Sequence, residues 1–192
     1  MASRPAELPA LLAGLARALR EARLPFMLIG GQAVLVHGRP RLTEDIDVTL
    51  GAGPERLDDL LGACRAAGLQ VLPSDPATFV AETFVLPARH RPTGMRVDCI
   101  FSSTAYERSA IARAEHIPVA GESVPVATAE DLLVHKVFAG RPRDIEDAES
   151  VVRRKGATLD WDYLREVVVG FREVPGREAM SDQLEALRSH IR

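Results

Sequence analysis

Leu8, Leu11, Leu12, Leu15 and Leu19 recur at spacings of three and four, the apolar stripe of an amphipathic helix over residues 6–22. Residues 26–29, Phe-Met-Leu-Ile, form a short apolar run that ends at Gly30-Gly31, which predicts a buried strand entering a tight turn. Gln32 to His37 reads as a short helix, stopped by Gly38 and Pro40. The stretch Asp45-Ile-Asp-Val-Thr-Leu50 alternates polar with apolar and is rich in β-branched residues, the pattern of a half-buried strand. Gly51 to Pro54 is a turn. Pro54 is placed to open a helix through Ala67, and Gly68 closes it.

Further strands are predicted at Thr83–Leu86 and Met95–Phe101, joined by a loop that carries Arg89, His90, Arg91, Pro92 and Gly94. Residues 104–114 predict a helix, and 116–119 with 124–126 predict two short strands around Gly121. After Ala127 the period changes. Thr128-Ala-Glu-Asp131 resembles a capping box that opens a helix through Ala139. Pro142 starts another helix that Gly156 ends, and Asp160–Phe171 and Glu178–His190 complete a helical C-terminal third. Trp161 and Val167–Val169 read as core. The expected fold is therefore α/β (α+β): residues 1–127 form a small mixed sheet of about four to six strands with flanking helices. Residues 128–192 form a helical region that completes a cleft, in one compact unit.

Composition narrows this picture. The chain has 192 residues with a net charge of −3 from 24 basic and 27 acidic side chains, which argues against coating long nucleic acid by charge alone. A local basic groove is still compatible with that balance, near Arg89 and Arg91 or at Arg153-Arg154-Lys155. The latter cluster also complements the dipole at a predicted helix C-terminus. Cys64 and Cys99 lie in apolar runs and read as reduced, buried thiols of a cytoplasmic protein. Met1–Pro9 carries Arg4 and Glu7 without an apolar signal core, and no apolar stretch approaches the roughly 18 residues of a membrane span. His37 and His135 fall on predicted helices and read as satisfied or surface imidazoles.

The chemistry concentrates in three acids. Asp45 and Asp47 are two apart on a strand, so their carboxylates point the same way, about 7 Å apart at Cα. Like charges held side by side repel unless a cation lies between them. Arg96-Val-Asp-Cys-Ile-Phe101 places Asp98 on another predicted strand, and if the two strands are neighbours the three carboxylates converge. Asp98 also has Arg96 within reach as an ion-pair partner. Three carboxylates without nearby His or Cys make an oxygen-only set suited to Mg²⁺ or Mn²⁺, not to zinc. Mg²⁺ usually shares its shell with substrate phosphates. Upstream, glycines at Gly30-Gly31 allow close backbone approach to such a phosphate at a helix start. Arg39 and Arg41 flank Pro40 in the loop before the acidic strand, where Arg41 is the candidate for meeting phosphates.

Gly30-Gly31, a spacer of thirteen residues, Asp45-Ile-Asp47 and then a lone Asp98 resemble the signature of the polymerase-β-like nucleotidyltransferase superfamily. Residues 28–47 are most similar to its minimal branch, which contains AbiEii-type and MenT-type toxins. Asp131-Leu-Leu-Val-His-Lys136, followed by Arg141-Pro-Arg-Asp-Ile-Glu-Asp147, resembles the Lys and Arg-Asp-x-x-Asp elements of that branch. One position departs: many members carry Gly-Ser where this chain has Gly30-Gly31, so backbone N–H groups take the place of a serine hydroxyl.

The resemblance implies an enzyme that moves a nucleoside monophosphate from an NTP to an acceptor hydroxyl and releases pyrophosphate. Asp45, Asp47 and Asp98 would hold two Mg²⁺ ions (or Mn²⁺), with Asp98 activating the hydroxyl. Lys136 would offer a cation to the triphosphate. Gly30, Gly31 and Arg41 would contact the nucleotide, and Asp144 with Asp147, which share a helix face, would contact it or orient Lys136. The active site is expected where the 45–47 and 98 strands meet the Gly30-Gly31 turn. The implied acceptor is tRNA or a protein, and the implied partner a cognate antitoxin, with no membrane contact. Two alternatives stay open: a catalytically weak nucleotide-binding module, and nucleotide transfer to a small molecule such as an antibiotic.

Overall fold

The computed structural model describes residues 7–102 and 104–191. In chain order the elements are α1 (Glu7–Glu21), β1 (Phe26–Leu28), α2 (Gly30–His37), β2 (Asp45–Leu50), α3 (Leu57–Ala66), β3 (Leu69–Val71), α4 (Pro76–Thr83) and β4 (Val85–His90). Then follow β5 (Arg96–Phe101), α5 (Ala105–Arg113), β6 (Glu115–Val119), β7 (Glu122–Val126), α6 (Ala129–Ala139), α7 (Pro142–Lys155), α8 (Trp161–Gly170) and α9 (Met180–Arg188). The fold is α/β with a mixed sheet. The described residues form two compact units: one comprises residues 7–28 with 43–126, the other Ile29–Leu42 with residues 127–191.

The first unit holds a seven-stranded sheet in the order β3-β4-β5-β2-β1-β7-β6. β2 runs parallel to β5, and β1 parallel to β7, while the other neighbours are antiparallel. On β2 the residues Ile46, Val48 and Leu50 are fully buried, and on β5 Val97, Cys99 and Phe101 are buried beside them. Each of the larger side chains, Ile46, Val48, Leu50, Val97 and Phe101, contributes roughly 1.5–3 kcal/mol of burial, so the register of the two strands is strongly specified. A one-residue slip would turn this apolar row to the other face. α1 packs its Leu11, Leu12, Leu15 and Leu19 stripe toward α3 and β7. Cys64 of α3 and Cys99 of β5 are free buried thiols. The hydrogen bond between them and the burial of Cys99 push the Cys99 thiol well up.

The second unit is helical. α6 packs on α2, α7, α8 and α9. Thr128 caps α6 by accepting from the Asp131 N–H at 3.1 Å, as the capping-box pattern predicts, and Gly140 ends it in the left-handed region. Gly38 ends α2 against α7, where a Cβ would come within 2.5 Å of Ser150 Oγ, 3.1 Å of Val151 Cγ2 and 3.3 Å of Val34 Cγ1. Close approach, not backbone conformation, demands glycine there.

Several elements differ from the expectations. The sheet has seven strands, because the three-residue β3 is too short to show alternation. α4 lies outside the predicted elements, although Asp75 before Pro76 is a helix-start signal: the Asp75 carboxylate accepts from Thr78 N–H at 3.1 Å. Arg89 and His90 lie in β4 and not in a loop, because pairing with β5 and β3 extends the strand to His90. α2 starts at Gly30, two residues before the predicted Gln32, so Gly30-Gly31 forms its first turn, and Gly30 adopts φ +59°. Val169 faces solvent, while its neighbour Val168 is in the core. No helix among the described residues is long and apolar enough to cross a membrane.

Gly38→Ala should destabilise the protein by about 1–3 kcal/mol through overpacking against Ser150, Val151 and Val34. Urea unfolding followed by circular dichroism measures this, and an unchanged midpoint would show that the α2–α7 contact relaxes freely.

Candidate active site

In the first unit, parallel pairing of β2 with β5 sets Asp47 directly opposite Asp98 and Asp45 opposite Arg96. Alternation puts Asp45, Asp47 and Asp98 on one face, all half-buried, while the apolar row occupies the other. The Thr43 hydroxyl donates to Asp45 Oδ1 at 3.0 Å and to the Asp45 carbonyl at 3.0 Å, which orients that acid. Arg96 Nε donates to Asp98 Oδ1 at 2.8 Å and to Oδ2 at 2.9 Å. The three predicted acids therefore share one face of two adjacent strands. The strand pattern assigns Thr43 no role, although Thr-x-Asp is a spacing at which a hydroxyl folds back on the chain.

These donors are all carboxylate oxygens, a set that fits a hard divalent cation. Among the described residues no group of three or more His, Cys, Asp or Glu is gathered as a ready-made metal cage. Asp98 faces Arg96 instead, so a cation on all three acids requires that pair to open.

The second unit gathers Arg41, Asp144 and Asp147 around the buried ammonium of Lys136. Lys136 Nζ lies 2.8 Å from Asp144 Oδ1 and 2.8 Å from Asp147 Oδ2. Arg41 meets Asp147 with two parallel bonds, Nε to Oδ1 at 2.7 Å and Nη2 to Oδ2 at 2.8 Å. Arg141 Nε donates to Asp144 Oδ2 at 2.5 Å. Lys136, Asp144 and Asp147 are buried, and Arg41 is the partly exposed member, with its side chain 26% accessible. Burial raises both aspartates, but hydrogen bonds from Arg141 and Lys136 outweigh it at Asp144 and hold that carboxyl below its ordinary value. At Asp147 hydrogen bonds from Arg41 and Lys136 do the same. Both acids thus contribute stability at pH values above the ordinary carboxylate range, and it is lost as the pH falls through their lowered values.

The cluster also fixes the loop after α2. Ser150 Oγ accepts from the Arg39 N–H at 3.1 Å, and Arg154 Nη1 donates to the Gly38 carbonyl at 2.8 Å. A cavity of about 410 Å³ opens beside it, lined by Arg39, Arg41, Glu146, Asp147, Glu149 and Arg153 among others. The first turn of α2 presents the N–H groups of Gly30 and Gly31, which a helix does not bond internally, and Ile29 supplies no side-chain cap. His37 is buried with Nε2 2.8 Å from the Ala127 carbonyl oxygen, and burial brings His135 down to about 4.

A family of sequences described as nucleotidyltransferase of unknown function (DUF6036) matches residues 8–188. No curated protein matches the chain. Among solved structures, the chain is similar to a nucleotidyltransferase-like antigenic protein from Paracoccidioides brasiliensis, at 17% identity and TM-score 0.58, over 96% of this chain and 94% of that one. It is similar also to ANT(2'')-Ia in complex with adenylyl-2''-tobramycin, at 20% identity and TM-score 0.54, over 95% of this chain and 98% of that one. The lincosamide antibiotic adenylyltransferase LnuA, lincomycin-bound, matches at 14% identity and TM-score 0.51, over 79% of this chain and 98% of that one. At these identities the likeness establishes the fold.

Lys136→Met, which keeps the volume and removes the charge, should cost about 3–5 kcal/mol, because it leaves two buried aspartates short of a cation. Denaturant unfolding at pH 7 checks this. A change below about 1 kcal/mol would mean that Arg41 and Arg141 suffice to hold Asp144 and Asp147.

Proposed function

The chain belongs to the DUF6036 family of nucleotidyltransferases, and from that membership we propose that it transfers a nucleoside monophosphate from an NTP to an acceptor hydroxyl, using Mg²⁺ held by Asp45, Asp47 and Asp98. The observation that carries this reading is the direct register of Asp47 with Asp98, with Asp45 on the same face. Nucleotidyltransferases generally use divalent metal ions, and an oxygen-only set of three acids suits Mg²⁺, with Mn²⁺ as a substitute.

The acceptor oxygen attacks the α-phosphorus in line, the bond from that phosphorus to the bridging oxygen breaks, and pyrophosphate leaves. Bound divalent ions supply charge neutralisation and a more acidic acceptor hydroxyl. Asp98 takes the proton of the attacking hydroxyl. The Gly30 and Gly31 N–H groups are the donors offered to phosphate oxygens. Arg41 is the guanidinium offered to the nucleotide. Its geometry depends on Asp147, which Lys136 and, through it, Asp144 hold in place; these three are positioning residues for Arg41.

The likeness of residues 28–47 to the minimal toxin branch supports tRNA or a protein as acceptor, and a cognate antitoxin as the partner of a growth-inhibiting protein. The two buried thiols support a cytoplasmic setting. A second reading, nucleotide binding with little catalysis, is favoured by Gly31 in the place where many members of the superfamily carry serine. Transfer to a small molecule is the third class of outcome.

Incubation with each α-³²P-labelled NTP, Mg²⁺ and tRNA, total protein or an aminoglycoside separates these readings. Label should appear on one acceptor and fall at least about 100-fold in Asp45→Ala/Asp47→Ala, a loss of about 2.7 kcal/mol in transition-state stabilisation. Transfer that survives the double substitution would contradict the proposed site. Mg²⁺-dependent NTP binding without transfer would establish the binding-module reading.

A further inference from the structure

β5 opens with Arg96-Val97-Asp98, which puts an arginine and an acid of the carboxylate face two residues apart on the same side of one strand. A single Nε–H of Arg96 is shared by both Asp98 oxygens, at 2.8 and 2.9 Å. The contact therefore occupies the atoms that a cation on Asp98 would take. Arg96 also lies across from Asp45 on β2 and across from Arg89 on β4. Arg89 carries the same charge on the same face but donates to the Gly94 carbonyl at 2.9 Å instead.

We propose that Arg96 is the resident counter-cation of the carboxylate face: it holds Asp98 in the metal-free enzyme and competes with a divalent cation for the same two oxygens. Uptake of the ion then opens the Arg96–Asp98 pair. The inference rests on the reading of Asp45, Asp47 and Asp98 as the metal-binding set. Its physical basis is the like-charge problem of that face, which a cation must relieve in both states. The pair is also weak enough to yield. Arg96 is half exposed, with 49% of its side chain accessible, and partly exposed ion pairs are screened by water and contribute little. Competition at that strength lowers the apparent affinity for the ion about fivefold. Arg96 tunes the site without closing it.

The test is Mn²⁺ affinity of the full chain without nucleotide, measured by electron paramagnetic resonance of the free ion, with circular dichroism to establish folding. Arg96→Gln should bind Mn²⁺ about fivefold more tightly than the wild type. Arg89→Gln removes the same charge one strand away and should change affinity by less than about twofold, since only a screened long-range effect remains. In an Asp98→Asn background, Arg96→Gln should give no gain. An Arg96→Gln affinity equal to or weaker than wild type, or an equal gain in Arg89→Gln, overturns the proposal while leaving the metal site in place. Failure of the wild type and all variants to bind Mn²⁺ overturns the metal reading and the proposal with it.

Discussion

Parallel pairing of β2 with β5 creates a constraint that organises the first unit. The apolar alternation of Ile46, Val48 and Leu50 with Val97, Cys99 and Phe101 leaves one register available. That same register sets Asp47 against Asp98 with Asp45 beside them. Burial on one face thus forces repulsion on the other, and hydrophobic energy from the core offsets the cost of gathering like charges. The Thr43 hydroxyl donates to Asp45 and the Arg96 guanidinium to Asp98.

The second unit solves a similar problem differently. Asp144 and Asp147 share a helix face and are buried, and both accept from Lys136. Arg41 and Arg141 complete the charge balance from outside α7. Buried charge clusters of this kind gain little net stability, but removing one member is costly. What the cluster secures is geometry: the two parallel bonds that the Arg41 guanidinium donates to Asp147 fix it in place, and the close packing of Gly38 on Ser150 fixes the chain just before it.

Much of this architecture was legible in the sequence, because long periodic segments and their caps are local signals. The leucine stripe of α1, the Asp45–Leu50 alternation, the Thr128 cap and the Pro142 helix start all lie where the pattern puts them. β3 is not legible because three residues carry no period, and α4 is not because the Asp75-Pro76 signal precedes a short helix with little apolar bias. At the candidate site, the shared face of Asp45 and Asp47 follows from strand alternation alone. The neighbourhood of Asp98 does not, since it depends on which strands pair. The partners of Lys136 were half legible: the i, i+3 spacing of Asp144 and Asp147 gives a common face. That this face holds the ammonium, and that Arg41 joins it from more than a hundred residues upstream, are facts of tertiary packing.

The central claim is that Asp45, Asp47 and Asp98 are a divalent-cation site. Anomalous diffraction from a crystal grown with Mn²⁺ and a non-hydrolysable NTP analogue tests it most directly. An anomalous peak should appear at coordination distance, about 2.1 Å, from carboxylate oxygens of Asp45 and Asp47, with the Arg96–Asp98 pair open. A nucleotide-bound structure with no peak at these acids and that pair still closed would contradict it.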